Sequence, residues 1–330
     1  MNEKIVFAGG TDWSVEFLDL LRKEGFSVIG VLTPPDSPKD RGLEVKINPL
    51  KLRAKKLNIP VWQPDKLDSP EFLAEFKKIS PDLVVVVAYG KLFPPEILAI
   101  PPLGFINFHP SLLPKLRGPS PIQSAILEGF KETGVSIMKL GKGMDDGPIL
   151  AQERIKINPR ETAGTLTWKL TDMGKKLLPN VLKKYLVGTR RGAFERATGT
   201  FLQKQNENQA TYCNIIRKEA GKINWQKESA EIIDRKVRAL NLGIKVYTFL
   251  TKNGQKKRVN ILESAGIIGK QDIRDLPISH YQLFAKNNKK YLAVKAQKGI
   301  LLVNRLQVES KKSISAEDFF QGYKEGKFSS

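Results

Sequence analysis

Cysteine occurs once in this chain, at position 213, and histidine twice, at 109 and 280. A single cysteine forms no intramolecular disulfide, which excludes the cross-linked scaffold of small secreted domains and suits a reducing compartment. Cys213, His109 and His280 lie far apart in sequence, outside the ligand spacing of a structural zinc, so no metal is expected. Long apolar runs are also missing: LVVVVAY, Leu83 to Tyr89, is about a third of a membrane span. The opening MNEKIVFAGG lacks the apolar core of a secretion signal. These absences predict a soluble, cytoplasmic protein without a membrane partner. Acidic charge is scarce beside basic charge: 34 Asp and Glu face 55 Lys and Arg, a formal net charge of +21 over 330 residues. Such an excess favours a polyanion, either nucleic acid or an anionic surface.

What is present divides into two unlike parts. Residues 1–187 alternate short apolar runs with helical periodicity. KIVFAG reads as a buried strand ending in glycine. TDWSVEFLDLLRKEG then reads as a helix capped by Thr11 or Asp12. DLVVVVAYG, apolar on both faces, reads as a central strand, FINFH as another, and GVSIMKL and ILAQERIKI as two more. Residues 162–186 read as one long packing helix. This βαβ rhythm predicts an α/β fold with a doubly wound, mostly parallel, Rossmann-like sheet. Residues 188–205 lose the pattern and are expected to be a linker. Residues 206–330 contain a helix near 229–240, five short alternating runs and a last helix, SAEDFFQGYKEG, which together predict a small OB-like β-barrel. This part is strongly basic: residues 251–312 hold 14 Lys and Arg against 4 Asp and Glu. No dimerising helix is visible, so a monomer is expected.

The chemistry-bearing stretch is INFHPSLLPKLRGPSP, 106–121. Asn107 and His109 stand two apart on a strand, so their side chains share a face, with Cα atoms about 6.5 Å apart. At the carboxyl end of a strand in an open α/β sheet, that face looks into the usual ligand crevice. An amide and an imidazole converging there can both donate to one oxygen, the arrangement that stabilises an oxyanion on a tetrahedral carbon. Downstream, GKGMDDGPIL presents Asp145 and Asp146 on a glycine-rich turn, where an acid can orient His109 and take up a proton. The plainer reading is a strand-end asparagine, a packed histidine and an ordinary turn acid. An Asp-Asp pair without further spaced oxygen ligands does not make a calcium loop.

Taken together, Asn107-Phe108-His109, Ser111-Leu112-Leu113-Pro114, Arg117-Gly118, Pro121-Ile122-Gln123 and Met144-Asp145-Asp146-Gly147 resemble the folate-dependent formyltransferases over about residues 1–187. KEAGKINW (218–225) and RALN (238–241) resemble the opening of the basic second domain carried by the branch that acts on tRNA. The resemblance implies transfer of a formyl group from 10-formyltetrahydrofolate to the α-amine of initiator methionyl-tRNA, with no metal. It implies that Asn107 and His109 stabilise the oxyanion and that Asp145, rather than Asp146, orients His109 and assists proton removal. It implies folate contacts from Ser111, Leu112, Leu113 and Pro114, a loop stiffened by prolines, and from Tyr89 and Leu92. It implies a tRNA contact from Arg41. Formylation of a small amine, hydrolysis of formyltetrahydrofolate and a non-catalytic RNA-binding module are the alternatives. The basic second part speaks against the first two, and the intact Asn107, His109 and Asp145 against the third.

Overall fold

The computed structural model describes residues 2–38, 45–190, 202–252, 254–273, 275–324 and 326–329. The chain forms two compact units: Met1–Pro121, Thr133–Ile155 and Lys169–Cys213 make the first, and Ile122–Glu132, Lys156–Trp168 and Asn214–Ser330 the second. In chain order the first elements are β1 (Ile5–Gly9), α1 (Asp12–Lys23), β2 (Val28–Leu32), β3 (Ser37–Pro38), β4 (Val45–Lys46), α2 (Pro49–Lys56), β5 (Val61–Trp62), α3 (Pro70–Ile79), β6 (Leu83–Val87), α4 (Pro95–Leu98) and β7 (Phe105–His109). α5 (Pro121–Leu127), β8 (Glu132–Lys139), β9 (Ile149–Lys156) and α6 (Ala163–Arg190) follow.

The first unit is built on a seven-stranded sheet in the order β5-β2-β1-β6-β7-β8-β9. β1, β2, β5, β6 and β7 pair in parallel, and β8 runs antiparallel to β7. All five residues of β1, β6 and β7 are buried, as expected of central parallel strands covered on both faces. Thr11 caps α1 in a reciprocal capping box with Ser14, whose hydroxyl also donates to the Val87 carbonyl and so ties the helix start to the end of β6. Asn48 and Ser69 cap α2 and α3, each followed by proline at the first helical position. One side of the sheet packs Val6, Ala8, Val84, Val86 and Phe105 against Phe72, Phe76 and Ile97. Elsewhere in this unit Phe108 sits 4.9 Å from Phe17 and 5.7 Å from Trp13 between ring centroids. α6 reaches this aromatic cluster through Gly174, where a Cβ would lie 2.2 Å from the Phe108 ring.

The second unit holds α7 (Ala230–Leu240), β10 (Val246–Lys252), β11 (Gln255–Ile268), β12 (Tyr281–Lys286), β13 (Lys289–Lys295), β14 (Ile300–Val308), β15 (Ser313–Ser315), α8 (Ala316–Gly322) and β16 (Phe328–Ser329). Its strands pair antiparallel in the order β12-β13-β14-β11-β10-β16, with β15 beside β14. A bridge from His280 to Lys327, with the Phe328 N–H donating to the Ser279 carbonyl at 2.9 Å, joins the two ends of this path and closes it. Trp225 is buried against Phe328, with centroids 5.8 Å apart. Its indole N–H donates to Thr248 Oγ1 at 2.9 Å, and Thr248 in turn donates to the Ser329 carbonyl. Asp234 on α7 accepts from Arg160, Arg238 and Ser264. Among the described residues no helix is long and apolar enough to cross a membrane.

Candidate active site

β7 positions the first two groups. Its parallel partner is β6, its antiparallel partner is β8, and Asn107 and His109 are 9% and 4% exposed at its carboxyl end. His109 Nε2 lies 3.0 Å from the Leu116 carbonyl oxygen. A carbonyl only accepts, so Nε2 carries a hydrogen and Nδ1 is left to face the site. Leu116 stands in the left-handed backbone region, at φ 58°, which is rare for leucine. Its N–H is held by Thr211 Oγ1 at 2.9 Å, so the carbonyl that fixes the imidazole is itself fixed.

Asp145 is the third group, also left-handed, at φ 50°. Its Oδ2 lies 3.6 Å from His109 Nδ1 and accepts from the Gly118 N–H at 2.8 Å. Its Oδ1 accepts from Asn107 Nδ2 at 3.4 Å. The separation to Nδ1 exceeds a hydrogen bond, so Nδ1 can still bond another oxygen. Gly118 is required here: its φ is 115° and a Cβ would meet the Cys213 carbonyl oxygen at 2.3 Å. Asp146 faces the other way. Its Oδ2 accepts from the Gly143 N–H at 3.1 Å, and a Cβ at Gly141 would lie 2.1 Å from its Oδ1, so this acid shapes the turn.

The other residues singled out in the sequence lie in differing surroundings. Ser111 is buried and donates to the Lys115 carbonyl at 2.7 Å, while Ser136 Oγ donates to the Ser111 carbonyl at 2.6 Å. The Leu113 N–H donates to Ser136 Oγ at 3.1 Å, and the Leu113 carbonyl accepts from Gln152 at 2.9 Å. Much of this loop's backbone is therefore engaged inside the protein. Leu113 packs with Met138 and Ile149, Leu112 lies over Gly134, and Leu112 and Pro114 stay half-buried. Tyr89 is buried and stacked on Phe93 at 4.9 Å, and burial pushes its phenol up from its ordinary pKa. Leu92, three residues on, is 68% exposed. Arg41 lies outside the described residues. Among the described residues no group of three or more His, Cys, Asp or Glu side chains is gathered to hold a metal ion.

One cluster was not legible in the sequence. Gln205 is buried; its amide N–H groups donate to the Asp145 and Gly147 carbonyls at 2.8 and 2.7 Å. Its Oε1 accepts from Arg117 Nε and Nη2 at 3.1 and 2.9 Å. Arg117, also buried, reaches Glu207 with two bonds of 2.8 and 2.7 Å and the Tyr212 hydroxyl at 3.2 Å. The bond to Glu207 raises the guanidinium pKa further and lowers that of the carboxyl. Cys213 closes this stretch as a buried thiol; burial pushes it up from its usual value, and its N–H donates to the Arg117 carbonyl at 2.8 Å.

Comparison with known proteins gives this geometry a family. Residues 3–182 match the family described as formyl transferase, and residues 215–324 match the formyl transferase C-terminal domain. The chain is 35% identical over 320 residues to the methionyl-tRNA formyltransferase of Syntrophus aciditrophicus (strain SB), covering 97% of this chain and 96% of that one. It is 40% identical over 256 residues to the methionyl-tRNA formyltransferase of Chloroflexus aggregans (strain MD-66 / DSM 9485), covering 78% and 79%. Among solved structures, an N-formyltransferase from Helicobacter canadensis in complex with folinic acid and dTDP-3-aminofucose shares the fold, with a TM-score of 0.59 at 20% identity over 91% of this chain and 98% of that one. A full-length match of this depth, spanning both domains, makes the chain an enzyme that belongs to the methionyl-tRNA formyltransferase family.

Proposed function

We propose that this enzyme transfers the formyl group of 10-formyltetrahydrofolate to the α-amine of initiator methionyl-tRNA in the cytoplasm, by direct attack of the neutral amine. The C–N bond forms as the carbonyl oxygen takes up charge. Collapse of the tetrahedral species breaks the bond to N10 of the folate, which takes a proton, while the new amide nitrogen loses one. Asn107 Nδ2 donates to the developing oxyanion. His109, protonated at Nδ1 as well as Nε2, donates from Nδ1. Asp145 supports that imidazolium by charge and receives the amine proton through water. Ser111, Leu112, Leu113, Pro114, Tyr89 and Leu92 form the folate-binding region, and Arg41 contacts the tRNA.

The observation that carries this reading is that Asp145, some 36 to 38 positions along the chain, meets the strand pair Asn107 and His109: it lies 3.4 Å from Asn107 and 3.6 Å from His109, with a separate oxygen toward each. The charge of the chain supports an RNA acceptor, because a small amine gives no reason for +21. In the second unit, Arg258 stacks on Tyr247 at 3.7 Å and Lys256 on Phe249 at 4.3 Å, so β10 and β11 carry cations beside aromatic faces. The test is an assay with 10-formyltetrahydrofolate and three acceptors: charged initiator tRNA, glycinamide ribonucleotide and water. Turnover with tRNA alone, lost in His109→Ala, is the expected result. Turnover with water or the small amine at a comparable rate refutes it.

A further inference from the structure

Gln205 has one possible orientation. Its amide faces two carbonyls, which cannot donate, and one guanidinium, which cannot accept. All of its polar capacity is spent, both hydrogens and the oxygen, at 4% exposure. The two carbonyls belong to Asp145 and Gly147, so the amide grips the backbone of the turn on which the carboxylate stands. Arg117, which sets the amide, lies between the two residues that hold the site from its other side. The Leu116 carbonyl binds His109, and the Gly118 N–H binds Asp145. The backbone of Arg117 is zipped in turn to the 211–213 stretch, its N–H donating to the Thr211 carbonyl and its carbonyl accepting from the Cys213 N–H, each at 2.8 Å. One connected set of bonds therefore fixes both partners of the 3.6 Å contact between His109 and Asp145.

We propose that Gln205, locked by Arg117 and Glu207, is a positioning residue for the formyl transfer, holding the Asp145 turn so that the carboxylate addresses His109 and Asn107 together. The inference rests on the reading of Asp145 as a participant in the reaction. It accounts for the amide: a glutamate of the same shape would still accept from Arg117 but would turn an oxygen toward two carbonyl oxygens and drive the turn away.

The experiment uses the full chain with Gln205→Glu, Glu207→Gln and Asp145→Asn. It measures kcat, KM for donor and for methionyl-tRNA, the pH–rate profile and the melting temperature. Gln205→Glu is expected to lower kcat by about 10- to 100-fold, with both KM values within about threefold and the pH–rate profile displaced. Glu207→Gln, whose side chain is 62% exposed, is expected to keep the fold and to lower kcat by about threefold with a displacement in the same direction. Wild-type kcat and profile in either variant overturn the inference. So does a loss of kcat that follows the folded fraction while the profile stays put. Should Gln205→Glu not fold, Glu207→Gln decides by the same criteria. Asp145→Asn separates the two readings: if it turns over normally, the role of Asp145 fails; if it is inactive while Gln205→Glu is not, the positioning role alone fails.

Discussion

Replacing Asp145 by asparagine removes one charge and one of its two acceptors, so the 3.4 Å bond from Asn107 Nδ2 is given up. The new amide oxygen can keep the bond from the Gly118 N–H, at 2.8 Å, so the turn and the fold survive and the melting temperature stays within a few degrees. On the proposed mechanism, what is lost is the attraction between a carboxylate and an imidazolium 3.6 Å away, about 4.6 kcal/mol at an effective dielectric constant of about 20. In the transition state the imidazolium also answers to the oxyanion, and if half the carboxylate's support is still felt there the loss is about 2.3 kcal/mol. At about 1.4 kcal/mol per tenfold, those limits correspond to a fall in single-turnover rate of between about fifty-fold and about two-thousand-fold. Rapid-quench measurement with saturating donor and charged tRNA reads this directly. A rate within fivefold of wild type, in a protein with an unchanged melting temperature, refutes the electrostatic role given to Asp145.

Other perturbations probe the scaffold and the acceptor. Asp234→Asn is expected to cost about 3 kcal/mol at neutral pH in chemical denaturation of the second unit, because it uncharges the group that holds Arg160 and Arg238. Burial alone would raise the Asp234 pKa, but bonds from Arg160, Ser264 and Arg238 together hold it below the ordinary carboxylate value. The difference between wild type and variant is therefore complete above about pH 4 and shrinks as pH falls through the lowered value; a difference that grew in acid would contradict this. Trp225→Ala should cost about 3–5 kcal/mol by the same measurement, since it empties a buried ring site and strips Thr248 of its donor. Gly174→Ala places a methyl 2.2 Å from the Phe108 ring, next to His109, and is expected to cost about 1–3 kcal/mol and to lower turnover. Affinity for tRNA should fall at least about tenfold between 50 and 200 mM salt, and a salt-insensitive affinity would argue against phosphate contacts by the basic second unit.

The elements that hold the site were legible because each is local. IVFAG and LVVVV announce buried strands by being apolar on both faces, FINFH by an apolar run broken on one face by Asn107 and His109, and Thr11 and Ser315 announce helix starts by their hydroxyls. Asn107 and His109 were readable as a pair because strand alternation puts them on one face. The choice between Asp145 and Asp146 rested on resemblance, since adjacent acids on a glycine turn have no period; the structure separates them by which glycine each one meets. β16, two residues long, carries no periodic signal, although it completes the second unit's ring of strands. Gln205 escaped notice for a different reason. Its partners are 88, 60 and 58 positions away, and in KQNENQAT it looks like any other polar connector residue. A buried amide is defined by what surrounds it, and nothing in its own neighbourhood along the chain reports that.

The closure of the second unit by Lys327 and Phe328 gives its assembly a direction in time. β10 begins about eighty residues before the strand that covers it. Until synthesis passes that point, β10 and β12 expose unpaired backbone on their outer sides. A chain truncated before Lys327 would thus carry two open edges able to recruit strands from other chains. Two residues near the end of the second unit thus decide whether β10 and β12 present paired or open edges.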